Sequence, residues 1–102
     1  MWLFAMFDLP VTTKTDRKAA TRFRKDLLDS GFTMLQFSVY ARPCGSEDIA
    51  ATLRHKIRSF LPSRGAVRLL TVTDRQFGKI ENYIGAIPTE PEEDCSEQIL
   101  LF

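Results

Sequence analysis

The stretch MWLFAMFDLP, residues 1–10, decides the fold. Its first seven residues are apolar without a break, and the run stops at a single carboxylate, Asp8. An apolar run with no alternation predicts a strand buried on both faces, and so a place in the middle of a sheet. Pro10 cannot donate a ladder hydrogen bond, so the strand is expected to end at or just before it. Asp8 then stands at the carboxyl end of a central strand, on the rim where the sheet meets solvent or a partner.

Downstream of this strand, Thr13 followed by Asp16 resembles a helix start, with the carboxylate near the positive end of the dipole. Ala20, Phe23 and Leu27 recur at helical spacing and are expected to face the sheet. Lys14, Lys18, Arg22 and Lys25 recur on the opposite face, and Gly31 ends the helix after Ser30. Residues 32–41, FTMLQFSVYA, are rich in β-branched and aromatic side chains and read as one long bent strand or two short ones. No Gly or Pro marks a turn inside them. Ser46 is an N-cap with Glu47 and Asp48 in the first turn, and Ile49, Leu53, Ile57 and Phe60 are expected along the buried face of a second helix. Residues 67–72 form another apolar strand, and residues 75–80 look like a short strand or turn.

Strand, helix, strand segment, helix, strand is the order of a split βαβ unit, an α+β ferredoxin-like βαββαβ sandwich. Right-handed crossovers put both helices on one face of its antiparallel sheet, with extra C-terminal strand material after it. The domain is expected over residues 1–87, with an acidic linker and an apolar tail over 88–102. The other sheet face then has no cover within the chain. A sheet containing MWLFAMF does not leave that face wet, which implies a homodimer with sheets stacked face to face.

A chain of 102 residues, 44% hydrophobic with eight Phe, supports one packed domain and excludes a disordered chain. No apolar run approaches the roughly 18 residues of a membrane span. Residues 1–7 are too short for a signal peptide and lack a basic leader. Cys44 and Cys95 have no metal-type spacing and suit a reducing cytoplasm. The net charge of +1 hides a split. Residues 1–89 carry 14 basic and 8 acidic groups, whereas residues 90–102 carry 5 acids and no base. A basic body is compatible with nucleic acid, or with an ordinary solvated surface.

Asp8 is the sharpest candidate for chemistry. Magnesium takes one or two carboxylates and completes its shell with water and phosphate. Two Asp8 side chains near a dimer axis could serve one ion, while the plainer alternative is a cap on the Leu9-Pro10 turn. The stripe Lys14, Lys18, Arg22, Lys25 suits a phosphate backbone, or is simply a solvated helix face. His55 has no Ser, Cys or Asp partner at motif spacing, Ser38 has no Gly-x-Ser-x-Gly elbow, and both cysteines look like passengers. A phosphate-cradling Gly loop and a zinc pattern are both missing, which excludes several enzyme classes. The apolar end Ile99, Leu100, Leu101 and Phe102 packs on its own domain or adds a strand to a partner's sheet edge.

Asp8-Leu9-Pro10 after an apolar first strand, a basic amphipathic helix, Gly31-Phe32, and Gln36-Phe37-Ser38-Val39-Tyr40 resemble one family over residues 1–80. It is the small CRISPR-associated adaptation protein, the second of the two universal ones. The resemblance implies a ferredoxin-like homodimer that bridges copies of the CRISPR integrase and helps hold a short DNA duplex for insertion as a new spacer. It also implies a metal-dependent nuclease on RNA or double-stranded DNA, with Asp8 as the matching magnesium ligand and catalytic residue. The expectation is a cytoplasmic adaptor, with no membrane partner. Lys14, Arg17, Lys18 and Arg22 face duplex phosphates and the tail faces the integrase. The alternatives are a magnesium-dependent endonuclease acting alone and a toxin-like RNA nuclease of similar fold.

Overall fold

The computed structural model describes residues 1–89. β1 (Trp2–Asp8) leads into α1 (Lys14–Asp29), β2 (Thr33–Gln36), β3 (Val39–Pro43), α2 (Glu47–Arg58) and β4 (Ala66–Val72). The four strands make one antiparallel sheet in the order β2-β3-β1-β4. This is the expected α+β ferredoxin-like arrangement, with β1 flanked on both sides as its unbroken apolar run required. α3 (Asp74–Gly78) follows, then a separate hairpin of β5 (Asn82–Ile84) and β6 (Ile87–Thr89). The candidate partner-binding residues Ile99, Leu100, Leu101 and Phe102 lie outside the described residues, as does most of the acidic linker. No helix among the described residues is long and apolar enough to cross a membrane.

The pleat of β1 divides the protein into two apolar layers. Leu3, Ala5 and Phe7 point to the helices and pack with Phe23 and Leu27 of α1 and Ala50, Leu53 and Ile57 of α2. Phe7 meets Phe23 edge-on, with ring centroids 5.1 Å apart, and also contacts Tyr40. Both helices therefore sit on one face, each capped as its sequence indicated. Thr13 accepts from the Asp16 amide at 3.0 Å, and Ser46 accepts from the Ile49 amide at 3.3 Å. α2 is turned slightly from its expected setting. Ala50 is buried with Leu53 and Ile57, and Ile49 is exposed, because spacings of three and seven from Ala50 align the smaller side chain with the sheet.

Trp2, Phe4, Met6 and Asp8 point the other way, on the same face as Val39 and Ala41 of β3 and Arg68, Leu70 and Val72 of β4. The expectation that nothing in the chain covers this face needs correction. α3 folds over one end of it, stacking Phe77 on Trp2 with ring centroids 3.9 Å apart and planes within 5°. The N-terminal amino group pairs with Asp74 and pins α3 there. Residues 74–78 are thus helix, in place of the short strand or turn expected over 75–80. Thr73 and Gln76 form a reciprocal capping box that starts the helix. Phe4 and Leu35 pack half-buried against the Trp2–Phe77 cluster, Met6 and Val39 remain half-buried toward the opposite end, and Leu70 is 49% exposed.

Candidate functional site

Asp8 ends β1 opposite Ala66 of β4, and its side chain lies on the open face with Met6. It is exposed, and among the described residues its carboxylate makes no hydrogen bond or ion pair. The turn-cap alternative therefore has no bond to rest on. Thr13 caps the start of α1, four residues further on than Leu9. Arg68 stands on the same face, opposite Met6, one pleat from the Asp8 pair.

The two sequence motifs, far apart in the chain, meet here. Residues 32–41 form two strands joined at Phe37 and Ser38, with a register shift between Met34 and Gln36. The turn lacks glycine, so Ser38 itself takes φ = 63°, a left-handed conformation uncommon for a residue with a Cβ. In that conformation the Ser38 carbonyl accepts from the Phe7 amide at 3.1 Å, tying the hairpin tip to the residue before Asp8. Phe37 at the tip is 80% exposed.

On the third side is Gly65, at φ = 95°. A Cβ added there would lie 2.7 Å from the Asp8 carbonyl oxygen and 2.8 Å from Leu9 Cδ2, so only glycine lets the α2–β4 loop approach this closely. In the sequence Gly65 reads merely as a helix exit. Its approach to Asp8 depends on β1–β4 pairing, which no local pattern displays.

The basic stripe occupies the opposite layer. Lys14, Lys18, Arg22 and Lys25 are all exposed along a shallow concavity on the outer side of α1, away from the sheet. The four are not equivalent. Arg22 pairs with Asp26 at 3.5 Å and Lys25 with Asp29 at 3.3 Å. Arg17 Nη1 donates to the carbonyls of Val11 and Thr12 at 3.1 and 3.3 Å, holding the β1–α1 loop. Lys14 and Lys18 have no ion-pair partner among the described residues.

Asp8 is the residue suited to a hard divalent cation. No group of three or more potential ligands gathers among the described residues, so one chain offers a single carboxylate. An exposed carboxylate with both oxygens uncommitted fits magnesium, which takes few protein ligands and leaves room for water and phosphate. Cys44 is buried in the core, and burial raises its pKa, which disfavours the thiolate.

The model of the family described as CRISPR associated protein Cas2 matches residues 1–80. The chain belongs to that family. A relative from Parvibaculum lavamentivorans is 48% identical over 102 residues, covering the whole of both chains. One from Flavobacterium psychrophilum is 43% identical over all of this chain and 88% of its own length. One from Acidovorax ebreus is 41% identical, again over both chains entire. All three are named CRISPR-associated endoribonuclease Cas2. The Cas2 match ends near the close of α3, so it spans β1 with Asp8, the Ser38 turn and Gly65.

Proposed function

We propose that the protein works in CRISPR adaptation as a homodimer with two separable activities on opposite layers of the fold. The observation that carries this reading is the placement of Asp8 on the open sheet face and of the basic stripe on the outer face of α1. Stacking two open faces covers Phe4, Met6 and Leu70 and leaves both α1 helices outside. Their Lys14, Arg17, Lys18 and Arg22 then track the phosphates of a DNA duplex, and the apolar tail engages the integrase that the dimer bridges.

In the same dimer the two Asp8 carboxylates approach the symmetry axis, where they would hold one magnesium ion that assists phosphodiester hydrolysis, RNA being the substrate named for the relatives. Bound there, the ion would polarise the phosphate and lower the pKa of an attacking water. The chain's own part is to fix the carboxylate at the end of a rigid central strand. Gly65 and Ser38 hold the backbone on either side of it, and Arg68 offers a cation on the same face for the phosphate. The stripe and the carboxylate lie on opposite layers of the fold, so in this reading DNA holding does not require cutting.

Leu70→Lys places a charge in the middle of the apolar patch and tests the dimer. Light scattering at micromolar concentration should give twice the 11.7 kDa chain mass for the native protein and the chain mass for the variant, with cleavage lost alongside. A monomeric variant that still cleaves would remove the shared site, and a monomeric native protein would remove the dimer.

A further inference from the structure

Resting on the role proposed for Asp8, we infer that the Asp16–Arg64 ion pair is a positioning device for the metal-binding carboxylate. Asp16 lies in the first turn of α1 and is only 6% exposed, although it is charged. Arg64 lies 48 residues away in the α2–β4 loop, and its Nη1 donates to both Asp16 oxygens, at 2.9 and 2.8 Å. The next residue is Gly65, which lies so near the Asp8 carbonyl and Leu9 that a Cβ there would clash with both. Fixing Arg64 therefore fixes the wall against which the end of β1 rests.

Packing alone does not hold that wall. A cavity of about 70 Å³ lies among Leu9, Pro10, Asp16, Pro62 and Arg64, which gives the loop room to shift if the ion pair is cut. On the other side, Arg17 grips the Val11 and Thr12 carbonyls. The chain leaving Asp8 is thus held from α1 by Arg17, while Arg64 ties the α2–β4 loop beside it to Asp16 of the same helix. A carboxylate on an exposed rim has no partner of its own to orient it, so its backbone must do so. Loss of groups that orient metal ligands typically costs about 10–100-fold in metal affinity.

The test uses the full-length dimer and manganese as a paramagnetic stand-in for magnesium. Arg64→Ala and Asp16→Asn should each weaken manganese binding about tenfold, the usual scale for outer-shell losses. Gly65→Ala should do the same with the ion pair intact, since its Cβ meets the Asp8 carbonyl. Arg64→Lys should restore most of the affinity, because one nitrogen makes both bonds. Arg54→Ala is the stability control. Arg54 pairs with Glu47 and donates to Thr71 at 2.8 Å, so its loss lowers the melting temperature but leaves manganese affinity unchanged. In metal-free protein, amide exchange at Asp8 and Ala66 should quicken in Arg64→Ala and stay native in Arg54→Ala. Native affinity and exchange in Arg64→Ala, or an equal loss in Arg54→Ala, overturns the positioning role while the Asp8 reading stands. A native dimer that binds no manganese overturns both.

Discussion

Ser38 shows how one residue couples two motifs. Its left-handed backbone costs a residue with a Cβ about 1 kcal/mol, and the reward is the bond from the Phe7 amide that seats the hairpin tip beside Asp8. Glycine adopts that conformation without strain but is freer in the unfolded chain, so the two effects partly cancel. Ser38→Gly is expected to raise stability by about 0.5 kcal/mol, read as a higher denaturation midpoint at unchanged slope. A decrease of about 1 kcal/mol or more would show that the serine hydroxyl, and not the backbone, is what the position requires. The absence of glycine here also explains why one bent strand and two short ones were equally open from the sequence. The usual punctuation of a hairpin is missing because a serine bears the strain.

Among the elements, α3 departs furthest from its sequence expectation. Five residues are too few to be stable alone, so the helix depends on its Thr73–Gln76 box and on Phe77 stacking over Trp2. Phe77→Ala removes a nearly buried ring and should cost about 3 kcal/mol in a urea melt. A cost under about 1 kcal/mol would mean that α3 is not part of the cooperative core. Its start signal, Thr-x-x-Gln, was present in the sequence, but Gly78 and the short length masked it as a turn. β1, α1 and α2 were legible because length and periodicity agreed, and their caps fell on Thr13 and Ser46 as expected. The position of Asp8 was legible for the same reason. What surrounds it was not: Gly65, Arg64 and Ser38 reach the site through strand pairing and loop packing between residues far apart in sequence.

At the scale of the whole molecule, the pleat of one strand separates two surfaces. Successive residues of β1 alternate between the helix core and the open face, and Asp8 falls on the open side with Phe4 and Met6. The charged side of α1 lies beyond the helices, so the sites share a scaffold without sharing a face. That separation is the central claim, and two variants on one panel of assays test it most directly. Asp8→Asn keeps the shape and removes the anion proposed to hold the ion. Lys14→Ala with Lys18→Ala removes two cations that have no partner among the described residues. Asp8→Asn is expected to abolish magnesium-dependent RNA cleavage while duplex DNA binding and spacer integration with the partner integrase persist. The lysine variant should keep cleavage but bind duplex more weakly, with the slope of log affinity against log salt reduced by about 0.9 for each phosphate no longer neutralised. Integration abolished in Asp8→Asn, while that variant still dimerises and binds DNA, would contradict the separation of the two sites.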